Sequence, residues 1–136
     1  MKLKILVNAS TLDIGGGVQV AISVLNYFEN IHGKKFIFHA IVTPNISKNT
    51  RLFKMPVTVI NHGSPARPIK GYHSRKLIRN IEKDFKPDMV YSIGFPSYVR
   101  FTSIELGRYT NPWEFYDDLP WFLLSFSQKL KVFFRT

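Results

Sequence analysis

Hydrophobic and polar positions follow two rhythms along this chain. Near the N-terminus Ile5, Leu6 and Val7 form an unbroken aliphatic run, the pattern of a strand buried on both faces of a parallel sheet. From Val18 the apolar positions change to helical spacing, with Val18, Ala21, Leu25 and Phe28 on one face and Val20, Val24, Tyr27 and Ile31 beside it. His32, Gly33, Lys34 and Lys35 then supply a helix end, with glycine past the last turn and cations near the negative pole. Phe36 to Thr43 predicts a second strand, stopped by Pro44, and Asn45 to Pro56 a polar, basic connection without strong periodicity. Val57 to Ile60 predicts a third strand, ending at Asn61, His62 and Gly63.

The loop from Ser64 to Tyr72 carries Pro65, Arg67, Pro68, Lys70 and Gly71, so it is ordered by prolines and decorated with cations. Ser74 is placed to cap a second helix with an apolar stripe of Leu77, Ile78, Ile81 and Phe85. Arg75, Lys76, Arg79, Lys83 and Lys86 face water in this reading, and Pro87 ends the helix. Met89, Val90 and Tyr91 begin a fourth strand closed by Gly94 and Pro96, and Ser103 to Leu106 predicts a fifth before a turn at Gly107. Strands alternating with helices imply parallel βαβ units with every strand's carboxyl end on one edge. The expected fold is therefore a Rossmann-like α/β domain, a parallel sheet flanked by helices.

Between the first strand and first helix stand Gly15, Gly16 and Gly17. Such a turn presents unpaired backbone N–H groups and the positive end of the helix dipole, where an anion such as a phosphate binds. Neither familiar phosphate-loop pattern fits. A dinucleotide fingerprint would need a third glycine where Val20 stands and an acid in the Val42–Pro44 region, and a triphosphate loop would need Lys and Ser or Thr where Val18 and Gln19 follow. Two readings stay open: a tight turn for helix packing, or close approach of a ligand.

The C-terminal stretch has a different composition. Asn111, Pro112, Trp113, Glu114, Phe115, Tyr116, Asp117 and Asp118 form an aromatic and acidic loop, and Asp118 with Pro120 suits a helix start. Trp121 to Arg135 follows as an aromatic and basic helix with more large apolar side chains than one buried face accommodates. It is expected to pack on a region outside the chain, or to lie on an anionic membrane surface.

At 136 residues the chain is one domain, large enough for a core but small for a complete α/β enzyme with a cleft between domains. Its net charge of +10 implies an anionic partner. The absence of cysteine excludes a disulfide framework, a thiol nucleophile and a cysteine zinc site, and it suits the cytoplasm. His32, His39, His62 and His73 show no metal-ligand spacing, so no metal is expected. His62 ends a strand at the functional edge, as a hydrogen-bonding residue or base, or simply as a turn residue. Glu114, Asp117 and Asp118 suit sugar hydroxyls or a helix cap. The strands are too apolar for a nucleic-acid platform, so nucleic acid is not an expected partner.

Four segments together carry a family resemblance: the strand Lys4 to Asn8, the turn Gly15-Gly16-Gly17-Val18 into a helix, the Lys86-Pro87-Asp88 entry to a strand, and Pro96-Ser97-Tyr98-Val99-Arg100-Phe101 running to Thr110-Asn111-Pro112-Trp113. The chain resembles the N-terminal, acceptor-side domain of group 1 (family 4) glycosyltransferases of the GT-B fold, over nearly its whole length. The resemblance implies an enzyme that moves a sugar from a nucleotide-diphosphate donor to a glycan or lipid-linked acceptor with retention of configuration. It implies no cofactor beyond the donor and no metal, and a place in the cytoplasm at the inner face of the membrane.

In that reading residues 1–136 are the first Rossmann-like half, with residues 120–136 as its aromatic, basic helix. The donor domain with its Glu-x-x-x-x-x-x-Glu pattern is absent, and the chain alone is expected to be inactive. The candidate substrate-binding residues are Gly15, Gly16, Gly17 and His62, joined through the resemblance by Glu105, Asn111 and Trp113; no catalytic residue is assigned. Glu105 is a departure, standing where the similar branch tends to have a histidine. The competing expectation is a small basic module that binds an anion or a membrane surface without catalysis.

Overall fold

The computed structural model describes residues 1–109. Five strands, β1 (Leu3–Asn8), β2 (Phe36–Val42), β3 (Val57–Val59), β4 (Met89–Phe95) and β5 (Ile104–Tyr109), form one sheet in the order β3-β2-β1-β4-β5. All pairings are parallel. Three helices join them: α1 (Gly16–Ile31), the single turn α2 (Pro44–Ser47) and α3 (Tyr72–Phe85). The expected α/β class, a parallel sheet flanked by helices of Rossmann-like kind, is the fold observed.

The apolar run in β1 has its physical reason here, because neighbouring residues point into separate cores. Val7 and Ala9 pack with Val18, Ala21 and Leu25 of α1, while Leu6 packs with Ile78 of α3, and all of these are buried. On the α1 side Phe28 stacks on Phe38, with ring centroids 4.5 Å apart and planes within 9°. Asp88 joins the start of β4 to β1 by two bonds: Lys4 N donates to Asp88 Oδ2 and Asp88 N donates to Lys4 O, each at 2.8 Å.

Several local expectations are corrected. The polar connection after β2 contains α2, with Ile46 buried; one helical turn is too short to show a period. Helix α3 begins at Tyr72, so Ser74 lies inside it and is not its cap: the hydroxyl donates to Gly63 O at 2.6 Å, tying the helix to the loop after β3. Arg75 does not simply face water. Its guanidinium donates to the carbonyls of Pro65, Arg67 and Pro68 at 2.7–2.8 Å. Nor does Gly107 make a turn. It lies within β5, where the Phe95 ring occupies the space that a Cβ would need.

Glu82 on α3 is 4% exposed, and its Oε1 accepts from Thr102 N, Ser103 N and Thr102 Oγ1 at 2.9–3.0 Å. That single oxygen aligns the entry to β5.

His39 in β2 has its ring against Phe85 and its Nε2 2.8 Å from Thr58 Oγ1, and burial lowers its pKa below the usual 6.5. Below about pH 6.5 the unfolded chain therefore binds a proton that the folded one resists, so stability should fall as the pH drops from that value towards the folded pKa. Urea melts across this range should show the loss, and a His39→Gln variant should flatten it. A second expectation concerns the glycine in β5. Gly107→Ala should lower unfolding free energy by about 1–3 kcal/mol, because the added methyl must displace Phe95 or bend β5; denaturant midpoints check this.

Candidate functional site at the carboxyl edge of the sheet

The strand order reverses direction between β1 and β4, and open α/β sheets bind ligands in the crevice at such a switch point, beyond the carboxyl ends of the strands. Asn8 and Ser92 are register partners there. Both are buried polar residues at the end of apolar strands, so each must find its hydrogen bonds inside the protein. They find them in one chain. Ser10 Oγ donates to Asn8 Oδ1 at 2.6 Å, Asn8 Nδ2 donates to Ser92 Oγ at 3.4 Å, and Ser92 Oγ donates to a carboxylate oxygen of Glu105.

The donor directions agree along the whole chain. An ionised carboxylate only accepts, so Glu105 orients the Ser92 hydroxyl towards itself, which leaves the Ser92 oxygen to accept from the Asn8 amide. The Asn8 oxygen in turn accepts from both Ser10 Oγ and Ser10 N. Ser10 thereby has its proton turned inward and offers oxygen lone pairs to the cavity it lines.

That cavity has a volume of about 270 Å³ and lies beside the ends of β1, β2 and β3, lined by Ser10, Asp13, Thr43, Asn45, Asn61 and Ser64 among others. Neutral polar side chains from Ser10, Thr43, Asn45, Asn61 and Ser64 line it beside the apolar Pro44 and Ile60, and Asp13 supplies a carboxylate. Thr43 Oγ1 donates to Leu12 O at 2.8 Å and Asn45 Nδ2 to Asp13 O at 2.7 Å, while Thr11 Oγ1 donates to Gly94 O at 3.1 Å. The loop leaving β1 is thus fastened to the end of β2 on one side and to β4 on the other.

The glycine turn follows that fastened loop. Gly15 has φ +72°, a conformation that L side chains rarely adopt, and precedes α1 without a side-chain cap; the first turn of α1 contains no acid. A Cβ on Gly15 or Gly16 would meet nothing within 4 Å, whereas one on Gly17 would come within 2.9 Å of Leu12. Packing therefore explains Gly17 and backbone conformation explains Gly15, but neither explains Gly16. The positive pole of α1 opens there onto free space, an electrostatic setting suited to an anion.

The other candidates are dispersed. His62 is exposed, and its ring lies 6.2 Å from that of His73; its neighbours Asn61 and Gly63 line the cavity. Glu105 is held by Ser92, on β5. Asn111 and Trp113 lie outside the described residues, as do Glu114, Asp117, Asp118 and the segment Trp121 to Arg135. Asn8, Ser10 and Ser92 were not among the sequence candidates, although a polar residue closing an aliphatic run at the functional edge is a readable sign. Among the described residues no group of three or more His, Asp or Glu is gathered as a metal site, and no helix is long and apolar enough to cross a membrane.

No family model, curated protein or solved structure matches this chain. What fold and site define is a class: a Rossmann-like α/β domain with an open glycine turn at its switch point and a cavity beside it at the carboxyl ends of β1, β2 and β3.

Removing the middle of the hydrogen-bond chain should be costly. Asn8→Ala should destabilise by about 1–3 kcal/mol, since it leaves buried Ser92 and Ser10 with unmet bonds. The variant pair Asn8→Ala and Ser92→Ala should be non-additive in a double-mutant cycle followed by chemical denaturation.

Proposed function

We propose that the chain is the acceptor-side domain of a retaining glycosyltransferase that uses a nucleotide-diphosphate sugar and works with a separate donor-binding domain. The observation that carries this reading is Gly16, a glycine that neither packing nor backbone conformation demands, at an open helix N-terminus on the switch point. In this reading the backbone N–H groups at the start of α1 meet the donor's phosphate charge or the sugar being transferred. The cavity beside them takes the acceptor's hydroxyls: the Ser10 oxygen and the Asp13 carboxylate accept, and fixed positions on a fastened loop hold one hydroxyl towards the anomeric carbon. Glu105 acts here as a positioning residue, through Ser92 and Asn8. The resemblance in Pro96 to Phe101 and in the glycine turn supports the same assignment.

The probe is Gly16→Val. Its side chain has room, so folding should be unchanged by circular dichroism and thermal melting. In the wild-type chain, inorganic pyrophosphate should shift the amide resonances of residues 15–18 saturably, and Gly16→Val should abolish the shift. The isolated chain should show no nucleotide-sugar turnover. Turnover by the chain alone would overturn the domain assignment, and an absence of shifts at those amides would overturn the anion site.

A further inference from the structure

We propose that the cavity at the ends of β1, β2 and β3 is a subsite for a protonated primary amine, which makes the acceptor an amino sugar with a free amino group. The inference rests on the transferase reading for calling this ligand an acceptor; the choice of an ammonium rests on the cavity alone.

The first observation is where the protons go along the wall built from the ends of β1 and β2. Ser10 Oγ gives its proton to Asn8 Oδ1 at 2.6 Å, and that direction is fixed from both ends of the series. Ser10 N, which can only donate, holds the same Asn8 oxygen, while Glu105 takes the Ser92 proton at the other end. Thr43 Oγ1 gives its proton to Leu12 O, a carbonyl that can only accept. Asn45 turns its Nδ2 towards Asp13, 2.7 Å from the backbone oxygen and 3.2 Å from Oδ1, so its amide hydrogens are engaged too. What this wall has left to offer a ligand is lone pairs on Ser10 and Thr43 and the carboxylate of Asp13.

The second observation is the sign of the charge. The chain carries +10, yet among the described residues that line the cavity Asp13 is the only charged one, with no lysine, arginine or histidine beside it. The wall after β3 is of a different kind. Asn61 has an amide that both donates and accepts, and Ser64 Oγ accepts from Ala66 N at 3.2 Å, which leaves its own proton to be given.

These two observations select the ligand. A hydroxyl brings one proton, and its own lone pairs would face those of Ser10 and Thr43. An ammonium brings three protons and no lone pair, one proton for each of Ser10, Thr43 and Asp13, and its charge meets the carboxylate. A calcium ion wants about six to eight oxygens, several of them charged, and no three acidic or histidine side chains are gathered among the described residues. Asn61 and Ser64 suit hydroxyls on the rest of the ligand. A volume of about 270 Å³ lies just below the roughly 300 Å³ at which pockets for drug-sized ligands begin, so one sugar ring is the unit the cavity takes.

The test is a set of NMR titrations of the 136-residue chain with glucosamine, glucose and N-acetylglucosamine at about pH 6, where an amine of α-amino type is protonated. Glucosamine should shift the amide resonances of Ser10, Asp13, Thr43 and Asn45 saturably, and bind at least about tenfold more tightly than either neutral sugar. Raising the pH past the amine's own pKa should bring its affinity down to theirs. Asp13→Asn, at an exposed position, should keep the wild-type amide spectrum elsewhere and lower glucosamine affinity about tenfold without changing that of glucose. The inference is overturned if glucose shifts the same amides with equal affinity, which returns the cavity to neutral hydroxyls, or if Asp13→Asn binds glucosamine as wild type does. It is overturned equally if calcium chloride shifts those amides at lower concentration than glucosamine, which makes the cavity a metal site, or if no shift appears there at all. None of these outcomes alters the pyrophosphate response of residues 15–18, so the transferase reading stands or falls separately.

Discussion

Strand β1 lies at the centre of the sheet with a helical layer on each side, and this double burial constrains everything attached to it. Its interior residues must be aliphatic on both faces, since no water reaches Leu6 or Val7. Its end must be polar, because the chain has to leave the sheet, yet Asn8 is still enclosed and so needs internal partners. Ser10, Ser92 and Glu105 meet that need in one directional series of hydrogen bonds. The same series that satisfies the core also sets which way the cavity's hydroxyl points, so structural and chemical requirements converge on the same side chains.

The sheet and its two long helices were legible in the sequence because their signals are repetitive. The run Ile5 to Val7 and the spacing of Val18, Ala21 and Leu25 each report burial several times over. Features that depend on a single contact left no such pattern. Ser74 looks like a helix cap by type and position, and only the approach of Gly63 O shows that its hydroxyl ties down a loop. Arg75 looks like one more solvated cation until three carbonyls converge on it. Gly107 resembles a turn because glycine usually marks one; here the constraint is the Phe95 ring on the neighbouring strand, twelve positions away in sequence.

The site was legible in part for the same reason. Three consecutive glycines announce an unusual backbone, but not that they differ: conformation accounts for Gly15 and the Leu12 side chain for Gly17, while Gly16 faces open space. Glu105 drew notice through resemblance, while its bond to Ser92 belongs to strand pairing between β4 and β5, which no local pattern encodes.

The pairing of β1 with β4 also has a bearing on how the chain is made. Asn8 meets Ser92 across 84 positions, so a ribosome releasing this polypeptide from its N-terminus presents β1, α1, β2 and β3 well before the strand that completes them. During that interval the inner edge of β1 carries a row of unpaired backbone groups beside an apolar face, the kind of surface that recruits other chains. Nascent-chain solubility should therefore change sharply once β4 has emerged, and the centre of the finished domain is, for part of its synthesis, its most exposed margin.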